Sequence, residues 1–129
     1  MSRIRGRDTG PELVVRRYLF SKGLRYRVNV GGLPGRPDIV LRRYGVCVFV
    51  HGCFWHGHKG CRLAATPKTN SAFWQAKIES NRARDVRNRA VLKRLGWKVI
   101  EVWECSLIPA RRERTLSSLF RRIGRQVPV

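Results

Sequence analysis

All three histidines of the chain and two of its four cysteines lie in the short stretch from His51 to Cys61. Cys53, His58 and Cys61 have C-x4-H and H-x2-C spacing, which lets thiolate and imidazole ligands converge on one zinc ion. Cys105 is the candidate fourth ligand if the fold brings it to the same place. Isolated cysteines and histidines are more often packed in a core than bound to metal, but their clustering here favours zinc.

Two histidines, His51 and His56, are left over beside this predicted zinc site, and they flank Phe54 and Trp55. Imidazole titrates near neutral pH, so these two side chains indicate acid–base chemistry or contact with a ligand. Cys47 differs, because it lies in an apolar run with no ligand-type neighbour. We therefore expect Cys47 to be a core residue.

The charge of the chain is strongly unbalanced. It has 28 Lys and Arg residues against 8 Asp and Glu residues, a formal net charge of +20 and a pI near 11.6. Arginine outnumbers lysine, which favours contacts with phosphates and base edges. The composition therefore predicts a polyanionic partner such as nucleic acid, and the length of 129 residues predicts one small domain.

The sequence has no apolar stretch of membrane-spanning length, and its basic N-terminus lacks the apolar region of a signal peptide. We expect a cytoplasmic, nucleoid-associated protein with no membrane partner. In that reducing compartment, four cysteines indicate a metal site and one core thiol rather than disulfides.

The first half of the chain predicts a helix followed by a hairpin. Thr9 and Glu12 have capping-box spacing, so a helix should cover about residues 11–22 and end at Gly23. A short strand is expected at residues 28–30. The β-branched runs at 38–41 and 46–50 are separated by a hairpin-length turn, and the histidine-rich loop follows the second of them.

The second half predicts a long helix at about residues 72–95, a strand at 97–103 and a last amphipathic helix ending at Gly124. Residues of the long helix with helical spacing predict its buried face, and these are Phe73, Ala76, Ala83, Val86 and Ala90. Trp97 and Trp103 alternate in the strand and are predicted core residues. If this strand lies beside 46–50, it delivers Cys105 to Cys53. The pattern predicts an α/β domain with a mixed central sheet flanked by helices.

Asp38 and Glu12 are the candidate carboxylates. Asp38 follows an irregular turn and opens a strand, where it could simply cap the turn. A carboxylate is also the hard ligand that magnesium needs for phosphodiester cleavage, and the hairpin can bring Asp38 near Val50 and His51. Glu12 is a capping-box residue that can also face the site.

Phe54 and Trp55 lie in a polar, glycine-flanked loop with no periodic apolar face to bury them. They are either core residues beside the zinc or a wedge that inserts between base steps and unstacks a duplex. Trp74, at the start of the long helix, can join them in DNA binding.

Five short motifs occur in a characteristic order: Thr9-x-x-Glu12, Pro34-Gly-Arg-Pro-Asp38, His51-Gly-Cys-Phe-Trp-His56, Phe73-Trp74 and Trp103-Glu-Cys105. With these motifs the chain closely resembles the very-short-patch repair (Vsr) mismatch endonucleases, over about residues 3–108. Those enzymes have a fold similar to type II restriction endonucleases. They use magnesium to nick DNA on the 5′ side of the mispaired thymine in a T:G mismatch.

The resemblance implies a role for each candidate residue. Asp38 would bind magnesium, with His51, His56 and Glu12 assisting water activation and phosphate chemistry. The implied structural zinc ligands are Cys53, His58, Cys61 and Cys105, and the implied DNA wedge consists of Phe54, Trp55 and Trp74. The partner would be double-stranded DNA containing a mismatch, bound by a monomer, and the sequence specifies no partner among repair proteins.

The chain departs from the family in three places. Val50 stands where relatives can carry a polar residue, so only its backbone carbonyl could bind magnesium. The spacing from His58 to Cys61 is longer than in some relatives. Relatives also have extra residues before the segment around Arg3, and we expect a shorter N-terminus to weaken DNA binding without removing the chemistry.

Two other functions are compatible with these features. A non-catalytic, zinc-stabilised nucleic-acid-binding protein would need the basic charge, the zinc loop and the aromatics, but not Asp38, His51 or His56. A restriction-type nuclease of the same fold would cut fully paired DNA. Magnesium-dependent nicking of a mismatched duplex separates the main prediction from the binding protein, and a comparison of mismatched with fully paired duplex separates it from the restriction-type nuclease.

Overall fold

The computed structural model describes residues 9–58, 60–64 and 67–124. The first helix, α1 (Gly10–Ser21), begins at the predicted capping box, in which Thr9 Oγ1 accepts from the Glu12 amide and Glu12 Oε1 accepts from the Thr9 amide. It ends at Ser21, with Lys22 as the C-cap before Gly23, which has a φ of +82°. The helix prediction is confirmed, whereas the basic segment at 3–8 lies outside the described residues.

Four strands form one mixed sheet in the order β1 (Arg27–Val28), β2 (Ile39–Leu41), β3 (Val46–His51) and β4 (Lys98–Trp103). The pairs β1–β2 and β2–β3 are antiparallel, which confirms the predicted hairpin, and β3–β4 is parallel. The short β1 does not reach residue 30 as predicted. Asn29 has a φ of +49°, and this left-handed conformation ends the extended strand.

Helices cover both faces of the sheet. Residues of β3 alternate: Val46, Val48 and Val50 pack on one side, and Cys47 and Phe49 pack on the other. The first side is covered by α1 and by α3 (Pro109–Gly124), through the side chains Val15, Leu19, Leu116, Leu119 and Ile123. The second side is covered by α2 (Ser71–Arg94), which contributes Leu92. The predicted core position of Cys47 is confirmed.

The predicted buried face of α2 is wrong. Phe73 and Val86 are 61% and 56% exposed, whereas Ile78 and Leu92 are buried. Between these two apolar contacts, the inward side of the helix carries partly buried charged residues, among them Asp85 and Arg89. The apolar residues with helical spacing therefore lie on the side of α2 that faces away from the sheet. Neither α2 nor any other helix among the described residues is long and apolar enough to cross a membrane.

The two strand tryptophans are half-buried rather than fully buried. Trp97 packs against the second apolar cluster, with Cys47 and Phe49. Trp103 instead contacts histidine rings, at centroid distances of 4.8 Å to His51 and 4.0 Å to His58. Its core prediction is therefore only partly right, because this residue borders the candidate site.

Candidate active site and metal centre

Parallel pairing of β3 and β4 brings the distant ligand candidates together. His51 and Trp103 are register partners at the ends of these strands, and Cys53 and Cys105 each follow two residues later. The Glu104 carboxylate accepts a hydrogen bond from the Cys53 amide across 3.2 Å, which ties the two strand ends to each other. The sheet topology therefore accounts for the predicted approach of Cys105 to Cys53.

The four predicted zinc ligands converge. The ligand atoms of Cys53, His58, Cys61 and Cys105 all lie within 4.8 Å of one another. His58 Nδ1 is 3.5 Å from Cys53 Sγ and 3.4 Å from Cys105 Sγ. Zn–S and Zn–N bonds of about 2.3 and 2.1 Å place tetrahedral ligand atoms roughly 3.6 Å apart. The three thiols and one imidazole therefore fit a closed zinc site.

The loop that carries the candidate metal ligands Cys53 and His58 is fixed against its surroundings by two close contacts. The His58 ring stacks on Trp103 with an interplanar angle of 6°. Gly57 has a φ of +58°, and a Cβ atom there would lie 2.5 Å from Ile78 Cγ2. Because only glycine accepts both the conformation and the close approach, Gly57 allows the loop to pack directly on α2.

Two carboxyl groups, those of the buried Glu12 and the partly buried Asp38, form the acidic part of the site. Asp38 Oδ2 accepts a hydrogen bond from the Val50 amide across 2.6 Å, and the Asp38 carboxyl also hydrogen-bonds with Glu12, which is only 2% exposed. Burial, and then the Glu12 carboxyl, raise the pKa of Asp38 to about 8. A divalent cation between these oxygen donors would offset the unfavourable effect of Glu12 on ionised Asp38. Carboxylate oxygens are also the ligands that magnesium prefers, so the pair fits this metal.

His51 and His56 lie side by side, with ring centroids 4.2 Å apart. His51 is 3% exposed, and burial, followed by the neighbouring charge of His56, lowers its pKa to about 3. His56 Nδ1 lies 2.5 Å from Asp85 Oδ2. His51 is therefore neutral at physiological pH, and His56 has a carboxylate partner that fixes one of its ring nitrogens.

One open cleft joins these groups. A cavity of about 1150 Å³ is bordered by Glu12, Asp38, Val50, His51, His56 and Asp85, together with Phe54, Trp55 and Glu104. The structure therefore brings together the candidate residues of α1, the β2–β3 hairpin and the loop after β3. A carboxylate pair and a histidine–aspartate pair in one cleft can bind a cation and transfer a proton.

Three of the aromatic candidates form a cluster at the rim of this cleft. Phe54 lies 5.1 Å from Trp55 and 5.4 Å from Trp74, and the two tryptophan rings are 5.7 Å apart. All three side chains are only partly buried. The Asn81 amide holds the loop by donating to the Trp55 carbonyl across 2.9 Å. The partly exposed rings form a surface suited to stacking on bases.

Sequence reasoning missed three acidic residues at the site, namely Asp85, Glu101 and Glu104. Glu101 Oε2 pairs with Arg89 Nε at 2.7 Å, and its Oε1 lies 3.7 Å from His51 Nε2. The sequence signal that could have indicated them is the scarcity of acidic residues, since the chain has only eight. Five of these border the cleft or its histidines: Glu12, Asp38, Asp85, Glu101 and Glu104.

Comparison with known proteins agrees with this arrangement. The sequence profile of the family "DNA mismatch endonuclease Vsr" matches residues 1–62. The chain is 49% identical to the type II nicking enzyme V.NmeAIP of Neisseria meningitidis, over 83% of this chain and 76% of that protein. It is 50% identical to the type II nicking enzyme V.XorIIP of Xanthomonas oryzae, over 83% and 78% of the two chains. With the DNA mismatch endonuclease Vsr of Escherichia coli the identity is 46%, over 83% and 68%.

Proposed function

Because the chain belongs to the Vsr family of DNA mismatch endonucleases and is a DNA endonuclease, we propose that it acts on T:G mismatches. It would nick one strand of the duplex on the 5′ side of the mispaired thymine, and the reaction would depend on magnesium. The cleft carries this proposal, since it combines buried carboxyl groups, a histidine–aspartate pair and stacking aromatics.

The buried carboxyl groups support an enzyme over a passive nucleic-acid-binding protein. Placing Asp38 beside the buried Glu12 is unfavourable for its ionised form, because burial and the Glu12 carboxyl both raise the pKa of Asp38. A protein that only binds DNA would gain nothing from these two acids in a cleft facing a polyanion. A role in holding a divalent cation for phosphodiester cleavage would give these acids a function.

Asp38 and Glu12, with the Val50 carbonyl, would hold the magnesium ion. Magnesium supplies a Lewis acid at the phosphate and lowers the pKa of water. The Val50 amide orients the Asp38 carboxylate through their 2.6 Å hydrogen bond. Arg16 contacts Glu12 at 3.4 Å, and this cation keeps Glu12 positioned toward the cleft.

His56 would accept the proton of the attacking water. Asp85 engages His56 Nδ1, which leaves Nε2 as the nitrogen that takes the proton. The carboxylate also stabilises the imidazolium ion that forms. His51 stays neutral because its pKa is lowered to about 3, so it packs against His56 and keeps that ring in place without repelling its charge.

The metal centre next to the cleft would be structural. Three cysteines and His58 leave no position for a substrate on a tetrahedral zinc ion, which is typical of a structural site. Zinc there would join the loop after β3 to the end of β4, and so hold His51 and His56 beside the sheet. It would have no direct part in the reaction.

Phe54, Trp55 and Trp74 would probe the base pair. A mispair costs less free energy to unstack than a normal pair. An aromatic wedge therefore inserts more readily at a mispair and so distinguishes mismatched from paired duplex. The excess of basic side chains, with a net charge of +20, would bind phosphates irrespective of sequence. Recognition and general affinity would then come from different residues.

We also propose that the chain is a single domain with a restriction-endonuclease-like core, acting as a monomer at the nucleoid. The core would consist of the β2–β3 hairpin, which carries Asp38, and the parallel strand β4. One chain supplies the carboxylates, the histidines and the aromatics to the same cleft, so the site needs no second copy.

A panel of labelled duplexes tests this function. Duplexes that differ only at one position, as T:G, T:A or C:G pairs, are incubated with the enzyme, with and without magnesium. We expect a single nick 5′ of the thymine in the T:G duplex alone, and only with magnesium. Cutting of paired duplexes would instead support a restriction-type nuclease.

A matched pair of variants assigns the reaction to the cleft. Asp38→Asn should lower the nicking rate at least about 100-fold while mismatch binding persists. Glu113→Gln makes the same change of charge at an exposed position of α3 and should nick like the wild type. Equal rates for both variants would exclude Asp38 from the reaction, and binding without any nicking by the wild type would support the non-catalytic alternative.

A further inference from the structure

A second group of metal-ligand side chains lies beside the cysteine-containing centre. His51, His56 and Asp85 each offer one ligand atom, and these atoms lie within 4.8 Å of one another. The geometry points to a second, inhibitory site at these three residues for a borderline divalent metal ion such as Zn²⁺. Its inhibitory effect rests on the proposed function, whereas its binding of metal does not.

The first observation is a buried nitrogen without a partner. His51 is 3% exposed, and its Nε2 atom makes no hydrogen bond within the described part of the chain. Glu101 Oε1 is 3.7 Å away, which is too long for a hydrogen bond. The ligand atoms of His51, His56 and Asp85 lie within 4.8 Å of one another, so a metal ion bound between them would give this nitrogen a partner.

The second observation is the type of the donors. Two imidazoles and one carboxylate form a set that zinc accepts in open sites, with water in the remaining position. Magnesium prefers oxygen donors only, so it would favour Asp38 and Glu12 over the histidines. The two metals would therefore occupy different parts of the cleft.

A zinc ion also has access to these residues. A separate cavity of about 250 Å³ is bordered by His56, Asp85, Glu101 and Trp103, and it leaves room for a bound water. The contact of 2.5 Å between His56 and Asp85 must open by roughly 1 Å to admit a metal. Both side chains are partly exposed, so they have space to move apart.

The local charge is also suitable. Asp85 and Glu101 contribute two carboxylates next to the histidines, and Arg89 is already paired with Glu101 at 2.7 Å. The Glu101 carboxylate therefore neutralises the charge of Arg89, one of the basic residues of α2 next to the histidines. Arg82 also lines this cavity, so the two carboxylates balance the two arginines, and a cation meets a locally neutral site although the whole chain is strongly basic.

Occupation of this site would stop the reaction. A metal on His51, His56 and Asp85 replaces the proton shared by the histidine–aspartate pair, so His56 loses the partner that supports its role as a base. The two centres should be distinguishable by affinity. The four-ligand centre is closed and binds tightly, whereas a site with three protein ligands and an open position binds more weakly.

The test replaces the bound metal of the full chain by one equivalent of cobalt(II) and then continues the cobalt(II) titration, followed by absorption and by elemental analysis. The first equivalent should show a thiolate-to-cobalt charge-transfer band. A second equivalent should add visible bands without increasing the charge-transfer band, because its ligands contain no sulfur. A wild-type protein that stops at one equivalent, or a second equivalent with added thiolate absorption, would overturn the proposal.

Two variants and a control locate the second equivalent. Asp85→Asn and His56→Gln should each weaken it at least about 10-fold and retain the first, while Glu79→Gln, on an exposed position of the same helix, should keep both. Retention of the first equivalent shows that a variant is folded. Unchanged second-site affinity in both variants would refute the assignment.

Zinc inhibition links the site to the reaction. Zinc beyond one equivalent should inhibit nicking by the wild type and by Glu79→Gln, and a mild chelator should restore activity. If the wild type nicks but binds only one metal ion, this inference fails alone. If two ions bind but no duplex is nicked, the proposed function fails alone.

Discussion

The backbone N–H of Val50 donates a hydrogen bond to Asp38 Oδ2 across 2.6 Å. This bond joins the end of strand β3 to the residue that directly precedes β2. It stabilises the charged form of the carboxylate. It does not outweigh burial and the nearby Glu12, which together raise the pKa of Asp38 to about 8. The position of Asp38 is therefore unfavourable for the folded chain in its ionised state.

This unfavourable position predicts a dependence of stability on pH. The folded chain keeps a proton on Asp38 between its unfolded pKa near 3.8 and its folded pKa of about 8, so the free energy of unfolding falls as pH rises through that range. Asp38→Asn removes this loss and should be more stable than the wild type at pH 8, with the difference shrinking toward pH 4. Urea midpoints across the range, in magnesium-free buffer, measure it. A difference that does not change with pH would contradict the assignment.

A pair of glycine variants tests the packing on α2 of the loop that carries the candidate metal ligands. Gly57 and Gly60 have φ angles of +58° and +71°, but only at Gly57 would a Cβ atom meet a neighbour, Ile78 at 2.5 Å. Both alanine variants share a backbone strain of about 1 kcal/mol or more. Gly57→Ala should lose an additional 1 to 3 kcal/mol, roughly, from the clash. Equal unfolding free energies would show that the loop is not held against the helix.

Two equally buried cysteines separate metal binding from core packing. Cys47 and Cys53 are both 0% exposed, but only Cys53 belongs to the proposed zinc centre. Cys47→Ala should retain zinc and cost about 1 kcal/mol of stability. Cys53→Ala should lose zinc and unfold or aggregate, because a small domain gains much of its stability from a structural metal. Elemental analysis and thermal unfolding check both, and equal damage would mean that the zinc ligands are misassigned.

The pairing of Asp85 with His56 predicts a change in rate without a change in DNA binding. Asp85→Asn should lower kcat by about 10- to 100-fold, because the amide no longer stabilises the imidazolium, and leave the Kd for mismatched duplex unchanged. Glu79→Gln on the same helix is the matched control. Single-turnover rates and binding isotherms separate the two effects. A loss of affinity in place of rate would assign Asp85 to DNA contact.

The sequence predicted the parts of the fold that follow from local patterns. The capping box of Thr9 and Glu12 determines the start of α1, and the β-branched runs on either side of Tyr44 determine the hairpin. The expected pairing of β4 beside β3 is also found, and because the two strands are parallel it brings Cys105 to Cys53. The candidate ligands could be found from spacing because zinc requires specific residue types.

The sequence could not predict the inner face of α2. Apolar periodicity finds the side of a helix that contacts an apolar core, but α2 borders the candidate active site over its middle turns. There its inward side carries Asp85 and Arg89, and the apolar contacts are limited to Ile78 and Leu92. Where the inward side of a helix is polar, apolar periodicity cannot identify it. Asp85 was missed for the same reason.

The last prediction concerns mismatch recognition by the aromatic cluster. Trp55→Ala should abolish the preference for mismatched over paired duplex, because the ring contacts Phe54 and Trp74 at the rim of the cleft and would unstack the mispair. Phe54→Ala and Trp74→Ala should reduce the preference less. The expected change is a few kcal/mol at most, roughly, since that is the difference in unstacking cost.

General affinity should survive in these variants. Basic side chains bind phosphates, so log Kd should change with log salt by about 0.9 per phosphate contacted, and this slope should be the same for Trp55→Ala and the wild type. Phe20→Ala is the control, since Phe20 is 64% exposed on α1 and should alter neither slope nor preference. Salt series on both duplexes measure the two quantities together. Full discrimination by a folded Trp55→Ala variant would mean that the cluster serves only to pack the loop beside the metal centre, because a wedge that can be removed without effect does not read the mismatch.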